Sequence, residues 1–247
     1  MKRFLMKVCY DGSAYCGWQS QNNGISVQQK LEECIFQITK ENVSIVGSGR
    51  PDAGVSAKGQ ICHFDSETKI RPINLAKAVN NLLPEDISII EIKIVSDDFH
   101  ARFSAKRKQY QYDFYVSELK NALLEKNTLR IYNVDIEKMK QATRYFKGKH
   151  SFKAFCSAKA VVKDFEREIY NISLTQNEET LSLKICGNGF LYNMVRIIAG
   201  TILEVGQGKI NLENIPDIFK NEDRSLAGKT LPAKALTLVS VEYDKYL

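Results

Sequence analysis

The amino-acid sequence predicts an α+β fold made of two halves with similar element order. Three observations carry this reading. Apolar residues recur at helical spacing in some segments and alternate or run together in others, so helices and strands are both present. The elements follow the order strand, helix, strand, strand, helix, strand, and that order returns loosely further on. No flexible linker divides the chain: 14 Gly and 5 Pro in 247 residues are too few for a linker-rich or disordered protein. The halves, residues 1–105 and 106–247, are therefore expected to share a mixed, largely antiparallel sheet with helices packed on it.

The elements are justified in turn. Phe4 to Tyr10 is a short apolar strand. A turn-rich loop, Asp11 to Gly24, follows and contains Trp18. Ser26 and Gln29 form an S-x-x-Q capping box, and Val27, Leu31, Ile35 and Ile38 continue it at helical spacing. Ser44–Gly49 and Gln60–Asp65 read as strands on either side of a loop. Ile73–Leu83 is helical and stops before Pro84, and Ile87–Val95 is an Ile- and Val-rich strand. This is the ferredoxin-like βαββαβ order. In the second half, Lys108–Val116 is a strand with Tyr110, Tyr112 and Phe114 on one face. Asp135–Phe146 is a helix, and strands lie near Phe165–Leu174 and Leu181–Gly187. Helices at Phe190–Val205 and Glu213–Phe219 and a strand at Ala235–Tyr243 complete the chain.

Composition narrows the function. Hydrophobic residues at 44% and charged residues at 26% are ordinary for a soluble globular protein. The apolar stretch Ile185–Val205 is interrupted by Arg196 and Asn193, which excludes a membrane span there. Six cysteines without C-x-x-C spacing, and an N-terminus unlike a signal peptide, point to reduced thiols in the cytoplasm. Three scattered histidines give no metal-ligand spacing, so no metal is expected. The net charge of +6 is localised: Arg144, Lys147, Lys149, Lys153, Lys159 and Lys163 fall in one acid-free stretch. Arg102, Lys106, Arg107 and Lys108 form a second cluster. Such clusters suit a polyanion or are simply a solvated Lys-rich surface.

The most unusual segment is Gly47-Ser48-Gly49-Arg50-Pro51-Asp52-Ala53-Gly54-Val55-Ser56. Gly49 and Gly54 permit positive φ. Pro51 fixes its own φ and drives Arg50 to extended geometry. Arg50 and Asp52 are close enough to pair, which would hold the carboxylate ionised for work as a nucleophile or base. The other reading is a structural turn with an incidental ion pair.

At these residues the sequence resembles the TruA-type tRNA pseudouridine synthases. The loop and its continuation, Gly59-Gln60-Ile61-Cys62-His63-Phe64, look like that family's signature. Tyr10-Asp11-Gly12, Tyr15, Gly17-Trp18-Gln19 and Gln21, then Ser26-Val27-Gln28 and Leu31-Glu32, resemble its N-terminal motif. Phe99-His100-Ala101-Arg102-Phe103-Ser104-Ala105 and Tyr110-Gln111-Tyr112 resemble its central one. Gly148-Lys149-His150-Ser151-Phe152 with Phe155 is a weaker match, and Phe190 to Arg196 with Gly200 to Leu203 a strong one. Pro232-Ala233 and Leu236 close the set.

The resemblance implies a pseudouridine synthase fold and the isomerisation of uridine to pseudouridine on the 3′ side of the tRNA anticodon stem-loop. It implies no cofactor, a tRNA partner and a homodimer. The family's catalytic aspartate falls on Asp52, its arginine on Arg50, its active-site tyrosine on Tyr110, its second basic residue on Arg196 and its pocket leucine on Leu236. The target base must leave its stack to be reached. Arg102, Lys106, Lys108, Lys149, Lys153 and Lys159 are the phosphate-contact candidates, and Phe155 and Tyr192 their aromatic neighbours. Each has a plainer reading: Tyr110 as a strand aromatic, Arg196 as solvent-facing, Leu236 as core, Trp18 as a loop anchor rather than an RNA stack. The sequence departs from the pattern at Pro51, where Thr is usual, Ser151 (Asp), Leu231 (Ala) and Ala235 (Gly). These departures leave open a different RNA target or an inactive RNA-binding module.

Overall fold

A computed structural model describes residues 1–21, 24–157 and 162–244. The first part of the chain forms β1 (Lys2–Tyr10), α1 (Val27–Thr39), β2 (Val46–Gly47), β3 (Ser56–Ser66), α2 (Pro72–Asn80) and β4 (Ile87–Val95). The middle forms β5 (Arg107–Val116), β6 (Leu129–Ile131), α3 (Ile136–Thr143), β7 (Gly148–Ser151), β8 (Glu166–Asn177), β9 (Thr180–Gly187), α4 (Met194–Gly206) and α5 (Ile215–Asn221). β10 (Leu236–Glu242) is the last strand. The chain divides into two compact units. One is Met1–Lys106 with the residues from Thr237 onward, and the other is Arg107–Leu236.

In the first unit β1 is antiparallel to both β3 and β4, in the registers Phe4↔Phe64 and Phe4↔Ile94. β2 pairs with β3 through Val46↔His63. The order β4-β1-β3-β2 is the one expected of a βαββαβ unit. β10 joins β3 in parallel at Thr237↔Ser56 and Leu238↔Ala57. The last strand, placed with the second half by sequence order, thus packs with the first. Phe4 stacks on Phe64 at 5.3 Å. Strand alternation puts the Leu5–His63 pair on the opposite face.

Helix α1 starts where the capping signal says it should. Ser26 Oγ accepts the Gln29 N–H at 3.1 Å, a cap worth about 1 kcal/mol. The other half of the box does not form, because the Gln29 amide donates to Glu33 instead. Val27, Leu31 and Ile35 are fully buried, each contributing roughly 2 kcal/mol by removal of apolar area from water.

In the second unit β5 pairs with β9 (Tyr110↔Ile185), β9 with β8 (Ile185↔Ile172) and β8 with β7 (His150↔Arg167). β6 runs parallel to β5 (Phe114↔Leu129). The short strands β6 and β7 were not expected: three residues carry no pattern, and Gly148-Lys149-His150-Ser151 has no apolar alternation. α3 packs on α4 and β8, and α4 also on β5. α4 begins at Met194 rather than Phe190, because Asn193 is left-handed at φ 60°.

Candidate active site

The loop between β2 and β3 is held from several sides by its own unit. Gly54 takes φ +81°, but Gly49 does not use the positive-φ region. The Asp52 carbonyl accepts the Val55 N–H at 3.1 Å, closing a turn just past the carboxylate. Pro51 is buried, and its carbonyl accepts the Trp18 N–H at 3.1 Å. The N-terminal loop lies directly on this segment. At Gly17, φ +96°, a Cβ would stand 2.8 Å from the Pro51 oxygen. At Gly12 one would stand 2.0 Å from the Val55 oxygen. A side chain at either position would push the two loops apart, which is the physical content of the Gly12 and Gly17 motif positions. Trp18 is 1% exposed: it is a loop anchor.

Below the loop runs a buried polar chain. The Ser48 hydroxyl donates to Gln60 Oε1 at 2.8 Å, and Gln60 Nε2 donates to the Gly49 carbonyl at 3.1 Å. Nearby, the Tyr243 hydroxyl donates to the Ala101 carbonyl at 2.6 Å. The Ala101 N–H donates to His63 Nδ1 at 3.2 Å. The Gly49 and Ala101 backbones are thereby fixed to buried side chains, where a lost partner is costly. Burial, reinforced by Arg3 and His100, lowers the His63 pKa to about 4. The ring is thus a neutral acceptor near pH 7.

Arg50 is exposed and lines a cleft of about 350 Å³ with Trp18, Gln28, His100, Arg102 and Phe103. Asp52, half-buried, is not part of that lining. The Arg50–Asp52 ion pair expected from sequence is not formed among the described residues. Pro51, buried between them, sends Arg50 to the cleft. The structure therefore brings Arg50 together with Arg102, two predicted cations that are 52 positions apart in the sequence.

Tyr110, Arg196 and Leu236 belong to the second unit. Tyr110 lies half-buried on β5, its ring edge-on to Phe190 at 5.2 Å. On α4, Arg196 and Glu204 are the residues left out of the buried set. Arg196 is half-buried and held: Nε donates to the Leu231 carbonyl at 2.6 Å and Nη1 to Asn193 Oδ1 at 2.7 Å. The Tyr112 hydroxyl donates to the Pro232 carbonyl at 2.9 Å. Lys234 is bound to Glu125, which also accepts from Tyr115. Leu231 to Leu236 is thus a pinned segment, and Leu236, 6% exposed, starts β10 from it. The departures Leu231 and Ala235 are fully buried.

The basic stretch differs from its sequence appearance. Lys149 pairs with Glu166 at 2.6 Å and Lys153 with Glu222 at 3.2 Å. Ser151 donates to Glu222 at 2.6 Å. That hydrogen bond, with Lys153, holds the Glu222 carboxyl below its usual range. Acid-free in sequence, these residues meet acids from β8 and the end of α5. Phe155 is fully buried against Phe146, Phe152 and Phe219, so it is core. Tyr192 is exposed. Lys159 lies outside the described residues. Sequence reasoning assigned no role to His100, Phe103, Gln60, Tyr243 and Asn193; all but Tyr243 lie inside motif segments, which was the available signal. The six cysteines are free thiols. Among the described residues no helix is long and apolar enough to cross a membrane.

Comparison with known proteins places this geometry. Residues 6–104 and 142–244 match the profile of a family described as tRNA pseudouridine synthase. A tRNA pseudouridine synthase A of Caldicellulosiruptor bescii is 44% identical over 244 residues, 98% of this chain and 100% of that one. Those of Ruminiclostridium cellulolyticum and Acetivibrio thermocellus are 41% and 42% identical over 245 and 244 residues, again 98% of this chain and all of theirs. With both the clamped aspartate loop and the pinned arginine segment inside the matched residues, the chain belongs to the tRNA pseudouridine synthase family.

Proposed function

We propose that this protein isomerises uridine to pseudouridine in tRNA, on the 3′ side of the anticodon stem-loop, with Asp52 as the nucleophile. The observation that carries the reading is the Asp52 loop itself, a carboxylate on a rigid turn clamped by the N-terminal loop. The reaction breaks the N-glycosidic bond, turns the base and rejoins it through C5. C5 gives up a proton and N1 gains one, so atoms and electrons balance within the substrate and no redox cofactor is called for. A positioned carboxylate divides this into two easier steps.

Tyr110 stacks on the flipped base and assists a proton transfer, while Leu236 packs the ring from its pinned segment. Arg196, oriented by Asn193 and Leu231, is a fixed cation for a developing negative charge or a phosphate. Arg50 is assigned to the RNA through the cleft it lines rather than to Asp52. Arg102 contacts phosphate there. Lys149 and Lys153 contact phosphate by exchanging their carboxylate partners for it, at a modest cost because exposed ion pairs are weak. The protein works in the cytoplasm as a homodimer.

The test is a pseudouridine map of total RNA from cells carrying wild type, Asp52→Asn or a deletion. Sites present with wild type and absent in both other strains support the enzyme and name its targets. Identical maps for wild type and Asp52→Asn refute it.

A further inference from the structure

The cleft beside Arg50 has features that the isomerisation of one base does not use. Its lining carries two guanidiniums, Arg50 and Arg102, an imidazole, His100, and, among the described residues, no acidic side chain. At its rim Phe103 is 76% exposed. The Phe103 ring is not loosely displayed. His100 lies against it at 4.3 Å with the planes 30° apart. The Arg102 guanidinium carbon is 5.7 Å from the ring centroid. His100 in turn lies 4.9 Å from the buried ring of His63.

The backbone here is fixed as well. The N–H groups of Arg102 and Phe103 both donate to His100 Nδ1 at 3.2 Å, so that nitrogen bears no proton and Nε2 carries it. The Ser104 hydroxyl accepts the His100 N–H at 3.0 Å, and the Ser104 N–H returns to the His100 carbonyl at 2.9 Å. Ala101 is tied to His63 and Tyr243. A tight turn thus holds the Phe103 ring largely exposed, with an imidazole against it and a guanidinium over it. Stacking platforms for unpaired nucleobases combine these same parts: an exposed aromatic face with a cationic track for the phosphates. A volume near 350 Å³ falls at the small end of the range for small-ligand sites, about 300–1,000 Å³.

We infer that this cleft is a second nucleotide subsite. An unpaired nucleotide neighbouring the target uridine stacks its base on Phe103, and Arg102 and Arg50 hold its phosphate. The inference rests on the proposed function, since it takes RNA as the substrate. Every base has a π-face, so the subsite accepts any base but requires that it be unstacked from its neighbours. It selects RNA whose chain is already open beside the target, independently of sequence there.

The experiment uses the full-length protein and unmodified tRNA transcripts carrying 2-aminopurine at single positions flanking the target uridine. Wild type is expected to quench the probe at one such position. Phe103→Ala should abolish that quench and raise KM by about tenfold, with kcat changed by less than about twofold. Phe103→Trp should restore both, because the aromatic face returns. Phe103 is mostly exposed, so the variants are expected to keep the wild-type melting curve. An undisturbed quench with Phe103→Ala, or an unchanged KM, overturns the subsite, as does occupancy of the cleft by a protein, which would leave both RNA readouts untouched. Absence of pseudouridine from wild type would instead refute the enzymatic reading, while the quench still reports the stack.

Discussion

His63 makes the first unit sensitive to mild acid. The ring is 5% exposed on β3 and accepts the Ala101 N–H through Nδ1. Burial is the main cause of its lowered pKa; Arg3 and His100 push the same way, and Asp65 opposes them weakly. The shift is from 6.5 to about 4. An unfolded chain therefore takes up a proton here at pH values where the native ring does not. The site's contribution is complete above pH 6.5 and is lost as pH falls toward 4. Integrating that difference gives a loss of roughly 2 kcal/mol on going from neutral pH to pH 5. His63→Asn removes the titration while offering an amide oxygen to Ala101. It should be less stable than wild type at pH 7.5, having lost the ring contacts with Phe99 and His100. It should also lose about 2 kcal/mol less than wild type between pH 7.5 and pH 5. Urea titrations at each pH, followed by the single buried Trp18, read this unit directly. Asp65, held low by its hydrogen bond to Arg3, titrates below the window and is common to both proteins. Equal pH slopes for the two proteins would refute the reasoning.

Three further outcomes are expected. Gln60→Leu strips the partners from Ser48 and the Gly49 carbonyl in a buried site and should cost about 2–3 kcal/mol; a urea midpoint within error of wild type would contradict it. Asn193→Gly suits the left-handed backbone but removes the acceptor of Arg196 Nη1, so stability should change by less than about 1 kcal/mol while single-turnover pseudouridine formation slows about tenfold. An unchanged rate would show that the Asn193 contact is not needed to align the guanidinium. Glu222→Gln keeps an acceptor for Ser151 but releases Lys153, so filter binding of tRNA should tighten a few fold and its salt dependence steepen; no change in the salt slope would remove Lys153 from the RNA contacts.

Much of this was legible in the sequence because the signals were local. Ser26 capped α1 as its spacing required, and Ile87–Val95 is β4 residue for residue. The Gly12 and Gly17 positions proved to be points of backbone contact, which a one-dimensional motif marks without explaining. What escaped was set by partners distant in the chain. Glu166 and Glu222 neutralise lysines that look unopposed in sequence. Pro51 separates two residues whose spacing suggested an ion pair. Gln60, a polar residue buried inside a strand, ties Ser48 to the Gly49 carbonyl only once β2 and β3 are paired. Asn193 shortens α4 by adopting a backbone conformation that no periodicity reveals.

The pairing of β10 with Ser56 and Ala57 bears on how the protein is made. The strand that follows the Asp52 loop finds this neighbour only after the whole Arg107–Leu236 unit has been translated. A nascent chain halted between Asp52 and Thr237 carries the carboxylate, yet lacks Tyr243, which donates to the Ala101 carbonyl. Aborted translation products would therefore hold Asp52 on a loop clamped by the N-terminal segment but without β10 beside it. Synthesis order itself makes this neighbour of β3 the last part of the unit to arrive.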